Sequence, residues 1–375
     1  MDKNIHIGIV GAGKIGTAIY NLLLGGGLDY RVSVADILPA FGDVQVGQRD
    51  YVELDKNKSV VEGESTQFNK FVTDKTLIIN ALPYTQNINL YKACLEYNVP
   101  YFDLSEDDAL DKWISSRKYI TPIRTGLPFT MPHCGLAPGI TTVLAEHCAN
   151  DFEEPQRIRI RVGALSRNAT NKLRYHTSWS GDGLVNEYRG QCQVVAEKKY
   201  ETEPALSGYE TIMIDGKEYE AFSTSGGIGT YAKTLADSHR GVIRADYKTL
   251  RRVGHHNYVD FLFNDLHLSE KILLDIFKDI PETRDDEVII YITAGGYRYD
   301  DWKYREKTFY KVFKPQQVHG RYYTGIELST ACGVLAMVEL FLIGQLPKEG
   351  YVKQEQVVWS QVATTQFGRF YRKET

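Results

Sequence analysis

The 375-residue chain carries 44 Lys and Arg against 48 Asp and Glu, a net charge of −4, with 43% hydrophobic and 25% charged residues. That mixture supports sizeable cores and two domains, and excludes a disordered, collagen-like or coiled-coil chain. No basic excess exists to hold a phosphate backbone, so no nucleic-acid partner is expected.

Met1-Asp2-Lys3 leads straight into an apolar stretch, without the layout of a secretory leader. The apolar segment 331–343 is interrupted by Glu339 and is too short to span a bilayer, so no membrane partner is expected. Five cysteines, at 94, 134, 148, 192 and 332, show no CxxC spacing. The expectation is no disulfide framework, no metal, and a reduced, cytoplasmic compartment.

In chain order, strands are predicted at residues 5–10, 31–36, 44–54, 76–81, 101–104 and 129–131. Helices fit between them at 14–24, 65–71, 88–97 and 109–119, which is the alternation of a parallel α/β sheet. A further helix is expected at 140–149. From about Pro155 the texture changes, with period-two alternation at 157–162. Strand candidates follow at 173–178, 193–196, 211–215, 242–250, 288–293 and 307–313, with helices at 266–278 and 325–344. The last, strongly apolar helix is expected to pack back on the first domain. The fold class is therefore α/β: a dinucleotide-binding domain over 1–150, completed by 326–375, and a second α+β domain with a mixed sheet over 151–325.

Gly11, Gly13 and Gly16 form a GxGxxG turn between the first strand and the first helix, with Lys14 and Ile15 opening that helix. In such a turn the first glycine permits the bend, the second admits a pyrophosphate to backbone amides, and the third allows close packing. Asp36 stands 20 residues beyond Gly16, where an acid accepts both ribose hydroxyls and repels a 2′-phosphate. Ile37, Leu38 and Pro39 follow, none of them cationic, so NAD is preferred over NADP as cofactor. Asn80, Ala81, Leu82 and Pro83 after the fourth strand, and Leu104 after the fifth, lie at strand carboxyl ends where the cofactor crevice belongs. Asp55 is read equally as an adenine neighbour or a plain loop residue.

The run Met131-Pro132-His133-Cys134-Gly135-Leu136-Ala137-Pro138-Gly139-Ile140-Thr141 is similar to the CGLxPG stretch of the saccharopine dehydrogenase-like oxidoreductases. The resemblance extends through Tyr101–Ser105. Ser178-Trp179-Ser180, Asn186-Glu187-Tyr188, Thr224-Ser225-Gly226-Gly227, Tyr247–Arg251 and Gly254-His255 look like the lysine 6-dehydrogenase branch. It implies a Rossmann domain, a second domain bearing the substrate site and the contacts of a homodimer, and amine–imine redox chemistry on a small amino-acid substrate. His133 departs from the family pattern, where a small residue usually precedes the cysteine, and this points to an altered pocket.

Hydride removal from a carbon bearing nitrogen requires the nitrogen lone pair, so an ammonium must first lose a proton to a tuned base. Asp103 is the leading candidate because a strand end places it over the crevice, with His133 and Cys134 as rivals. For the thiol, inert packing is the competing role. A substrate carboxylate needs a cation: Lys248 and Arg251 share one predicted strand–loop segment, with Arg161, Arg174 and Arg244 as competitors. Ser105, Gly135, Leu136, Thr224 and Ser225 are further substrate-site candidates, and Trp179 is read either as an apolar wall or as core. The His255-His256 pair, taken as strand, would point its rings to opposite faces, which argues against a metal. The sequence reading is an NAD-dependent oxidoreductase acting on the C–N bond of L-lysine. Its alternatives are saccharopine or carboxynorspermidine chemistry and a non-catalytic NAD-binding sensor.

Overall fold

The computed structural model describes residues 5–27, 29–37, 40–41, 44–45, 51–54, 66–117, 127–178, 181–238 and 240–372. The chain divides into two compact units, one of residues 1–140, 317–321 and 330–370, the other of 141–316, 322–329 and 371–375.

The first unit begins with β1 (His6–Val10), α1 (Lys14–Gly25) and β2 (Arg31–Asp36). The short β3 (Ala40–Phe41) and β4 (Val44–Gln45) pair with each other before β5 (Tyr51–Glu53). The single strand expected over 44–54 is therefore two strands, and the residues between them lie outside the described ones. Next come α2 (Thr66–Thr73), β6 (Leu77–Asn80), α3 (Asn87–Glu96), β7 (Tyr101–Asp103), α4 (Ala109–Arg117) and β8 (Thr130–Met131).

The strand order is β5-β2-β1-β6-β7-β8, every pairing parallel. Each residue of β1 and β6 is buried. That is why these strands read as continuous apolar runs without alternation: helices cover both faces of such a sheet. The order reverses between β1 and β6, leaving a crevice at their carboxyl ends. One face packs Leu90, Tyr91 and Cys94 of α3 against Val10, Ile78 and Tyr101. Phe102 of β7 and Phe129 pack on Phe341, which comes from far along the chain. Full burial of such a ring stabilises by roughly 1.5–3 kcal/mol.

The second unit opens with α5 (Ile140–Ala149), which begins at the boundary, and the long β9 (Glu154–Ser166). It continues with α6 (Gly181–Glu187), β10 (Gln191–Ala196), β11 (Lys199–Pro204), β12 (Glu210–Ile214), β13 (Lys217–Ser223), α7 (Tyr231–Asp237) and β14 (Arg244–Arg252). Then come α8 (His255–Asp260), α9 (Glu270–Lys278), β15 (Asp286–Tyr297) and β16 (Tyr304–Phe313). The sheet is mixed: β9 runs parallel to β14 and antiparallel to β15. Its order is β11-β10-β14-β9-β15-β16, with β13 also on β14 and β12 beyond it.

Three sequence expectations change here. Residues 173–178 are not a strand, because the Asn171 side chain grips the N–H and C=O of Tyr175 and takes the place of a ladder. The strands β11 and β13 are additions to the expected set. The two histidines at 255 and 256 open α8, which starts after Gly254 at φ +99°, so they do not alternate across a strand.

The chain ends with β17 (Gln316–Val318), β18 (Arg321–Tyr323), α10 (Gly325–Leu342) and α11 (Trp359–Val362). Asp286 holds the start of α10 by accepting from the amides of Gly325 and Ile326. By length and composition α10 could cross a membrane, contrary to the shorter apolar segment expected, and 67% of it is buried inside the protein.

Candidate functional site

At the end of β1 the chain turns through Gly11 at φ +105°, a setting that favours glycine. A Cβ on Gly11 would meet the Ala81 carbonyl at 2.7 Å, and one on Gly16 would drive into the carbonyl oxygen of Gly11. These two glycines are committed to close packing. Gly13 is different: among the described residues, a Cβ there would meet nothing within 4 Å. It is also the N-cap of α1, whose first turn, opened by Lys14 and Ile15, has no side-chain cap. An open approach to helix-start amides is what an anionic pyrophosphate requires.

The buried Asp36 closes β2 and accepts a hydrogen bond from the Ala12 amide, tying the acid to the glycine loop. Asn80 shapes the neighbouring turn, accepting from Leu82 N at 3.0 Å and donating to Asn87 and the Tyr101 hydroxyl, each at 2.9 Å. Ala81 reaches back to the Val10 carbonyl at 2.7 Å, and Pro83 opens a short 3-10 turn. The residues present therefore fit a dinucleotide, with Gly13 and the start of α1 for the phosphates and Asp36 for the ribose. Asp55 lies outside the described residues.

Asp103, His133 and Cys134 come together where β7 and β8 end. Asp103 Oδ1 accepts from the amides of Ser105 at 3.0 Å and His133 at 2.9 Å, and Oδ2 accepts from the Tyr101 hydroxyl at 3.1 Å. Asp103 is 1% exposed, and burial pushes its carboxyl above the ordinary carboxylate range. The His133 backbone sits at φ +60°. Its ring places Nδ1 2.6 Å from the Ser105 carbonyl and Nε2 2.6 Å from Asp111 of α4. Burial opposes a charge on this ring, but the Asp111 carboxylate, with Asp103 and the Ser105 carbonyl, outweighs it and pushes His133 up to about 10. Asp111 in turn accepts from the Tyr351 hydroxyl.

Cys134 donates to the Met131 carbonyl at 3.0 Å and accepts from Gln354 at 2.9 Å; burial pushes its thiol well up, so it is a packed thiol. Leu104 is half-buried beside this cluster, and Gly135 and Leu136 follow Cys134, with the Gly135 carbonyl accepting from Ile140 N at 3.1 Å.

In the second unit the motifs scattered from 175 to 255 converge on one face of β14. Ser225 joins Asn186 and Glu187 through its hydroxyl at 3.0 Å and its amide at 2.9 Å. Thr224 meets Thr249 at 3.1 Å, and the Tyr247 ring lies where a Cβ on Gly227 would be. Arg251 donates to the Tyr188 hydroxyl at 2.8 Å, stacks near the rings of Tyr175 and Tyr188, and lies 3.6 Å from Glu187.

Tyr188 continues to His255 Nε2 at 3.0 Å, while His255 Nδ1 faces the Leu173 carbonyl at 2.9 Å. Burial, helped by the Arg251 charge, pushes His255 down to about 3, so it is neutral: Nδ1 donates and Nε2 accepts from Tyr188.

Lys248, three residues from Arg251, points to the opposite face and does not join this group. It donates to Glu210 at 2.8 Å and the Gly208 carbonyl at 2.5 Å. There Arg161, 1% exposed, bridges Glu210 and Asp246, each at 2.6 Å, and Arg244 joins Asp246 to Glu203. Trp179 lies outside the described residues.

The saccharopine dehydrogenase NADP binding domain matches residues 7–122, and the saccharopine dehydrogenase C-terminal domain matches residues 135–373. The chain belongs to the saccharopine dehydrogenase family. Among solved structures it is similar to apo saccharopine dehydrogenase (L-Glu forming) from Saccharomyces cerevisiae, at 15% identity and a TM-score of 0.70, covering 94% of each chain. It is also similar to the homospermidine synthase of Legionella pneumophila in complex with NAD, at 10% identity and a TM-score of 0.67, covering 98% of this chain and 89% of that one. At these identities the likeness is one of fold. Family membership makes the chain an oxidoreductase that uses a nicotinamide dinucleotide.

The glycine loop and Arg251 stand out in the sequence, whereas Asp111 and Tyr351, which the structure joins at the His133 ring, do not. These two are 240 positions apart. Asp111 reads as an ordinary acid on a helix, and no spacing rule connects it to a tyrosine so distant.

Proposed function

We propose that this protein is an NAD-dependent oxidoreductase acting on the C–N bond of an amino acid, with L-lysine as the favoured substrate. The observation that carries the reading is the dinucleotide cradle, Gly13 open beside the start of α1 and Asp36 tied to the loop, in a chain of this family. Asp36, followed by Ile37, Leu38 and Pro39, supports NAD over NADP. When bound, the dinucleotide supplies the hydride acceptor.

The substrate ammonium first loses a proton, so that the nitrogen lone pair can form the C=N bond as the hydride leaves. Water then adds to the imine carbon, and ammonia departs with the electrons of the C–N bond. The sum is one substrate ammonium, one oxidised dinucleotide and one water giving an aldehyde, a free ammonium ion, reduced dinucleotide and a proton.

Arg251 is the cation proposed for the substrate carboxylate, since it is buried among tyrosines and grouped with Thr224 and Ser225 rather than locked into the ion network that holds Lys248. The fold shared with the yeast enzyme keeps a second reading open, in which the amine is secondary, as in saccharopine or carboxynorspermidine. Formation of NADH or NADPH by the purified protein tests both readings, with L-lysine, saccharopine and carboxynorspermidine each supplied with NAD and with NADP. Turnover on lysine with NAD supports the first reading, and turnover on a secondary amine alone moves the substrate. Dinucleotide binding without turnover on any of them refutes amine oxidation and favours a sensor.

A further inference from the structure

The His133 ring is bonded on both sides to oxygen atoms of accepting groups. The Ser105 carbonyl oxygen can only accept, and Asp111, already accepting from Tyr351, presents its second oxygen to Nε2. With Asp111 held ionised below its ordinary range by the ring and the Tyr351 hydroxyl, the two oxygens at 2.6 Å are both acceptors and each ring nitrogen carries hydrogen. The same residue donates its amide to Asp103, which also gathers the Ser105 amide, while Cys134 N donates to the Asp103 carbonyl at 2.7 Å. One residue thus joins the turn after β7 to the turn after β8, at the strand ends that border the cofactor crevice.

We propose that His133 is a positioning residue: as a permanent imidazolium it pins these two turns together for dinucleotide binding, and Asp111 with Tyr351 keeps the ring charged. It is not the base that deprotonates the substrate ammonium, because it has no lone pair to offer. The inference rests on the dinucleotide-dependent reading above.

The ionisable groups on the ring and on its partners come from four places. Asp103 and Tyr101 belong to β7, Asp111 to α4, and Cys134 follows β8. Tyr351 approaches from the late segment, with Lys353 acting on Asp111 and Glu355 on Tyr351. Two carboxylates flank one cation, and this arrangement keeps the proton on the ring against its burial.

The test is ¹⁵N NMR of histidine-labelled full-length protein without any amine, together with dinucleotide affinity from about pH 6 to 9. Wild-type His133 is expected to keep both ring nitrogens protonated throughout, with flat affinity. Asp111→Asn removes the charge but keeps an accepting oxygen. It should bring the His133 titration into that interval, with affinity falling about tenfold as the ring loses its proton. Tyr351→Phe, the milder change, should move both readouts in the same direction by less. A neutral or titrating His133 in the wild type overturns the proposal. So does a titration brought into range by Asp111→Asn that leaves the affinity profile flat. Absence of turnover on every amine with the imidazolium intact would refute the amine reading alone, because neither readout uses an amine.

Discussion

Gly13→Ala separates binding from folding more cleanly than any other change in the cradle. Gly13 has φ −69° and ψ −170°, extended backbone that alanine adopts without strain, and among the described residues the added methyl meets nothing within 4 Å. Alanine is a poorer N-cap than glycine, costing on the order of 0.5–1 kcal/mol, but its stiffer unfolded chain returns about 0.4–1 kcal/mol. The two effects nearly cancel, so the melting temperature is expected to stay within about 2 °C.

The methyl does, however, stand in front of the α1 amides. Loss of one charge-assisted hydrogen bond to a phosphate is worth about 1.5–3 kcal/mol, roughly a ten- to hundredfold loss of affinity. Calorimetric titration with NAD and NADH, beside a thermal scan, measures both. Gly16→Ala is the contrast: its methyl collides with the Gly11 carbonyl, and a cost of about 1–3 kcal/mol should lower the melting temperature by several degrees. Gly13→Ala binding dinucleotide within twofold of wild type would refute the cradle, and an unfolded Gly13→Ala would refute the packing argument.

Asp36→Ser should weaken NAD binding and narrow the preference over NADP, read as the ratio of the two dissociation constants. Arg161→Ala leaves Asp246 and Glu210 without their shared cation and is expected to cost about 3–5 kcal/mol in denaturant unfolding. Acid stability follows from the same carboxylates. Burial pushes Asp246 and Glu210 up, yet Arg161 together with Lys248, and for Asp246 also Arg244, outweighs it and holds both below their ordinary range. Their contribution is therefore full above the unfolded carboxylate values of about 4 and is lost as pH falls through the lower folded ones. Asp246→Asn should accordingly flatten the acid limb of a stability-against-pH curve. Replacing Lys248 by Met should leave the amine KM within about twofold while Arg251→Met raises it at least tenfold, a steady-state comparison that tests the assignment of the two faces of β14.

What can be read from the chain alone follows burial. β1 and β6 are legible because both faces are covered, which demands unbroken apolar runs, and the glycine loop because its spacing reflects steric need. β11 is illegible because most of its residues are exposed, Lys199 and Glu201 among them, so no alternation marks it. Residues 173–178 mislead for the opposite reason: Tyr175 is buried by packing on Leu184, Phe277 and their neighbours, not by sheet pairing.

Asp103 reads as facing the crevice because it ends a strand. Its side chain also bonds to the Ser105 amide two residues on, a local Asx turn that strand position alone does not reveal. Lys248 and Arg251 illustrate the value of register, since an odd spacing on one strand sends them to opposite faces.

The outer edge of β8 is closed by chain that is synthesised long afterwards. Thr130 donates to the Gly350 carbonyl at 2.9 Å and accepts from Val352 at 2.9 Å, while Phe341 covers Phe102 and Phe129. During synthesis the ribosome therefore exposes a parallel sheet with one bare edge and an uncovered aromatic face, and most of the second unit emerges before either is sealed. Nascent chains stalled before residue 340 should engage chaperones that bind apolar strands, and release of the remaining residues should end that engagement.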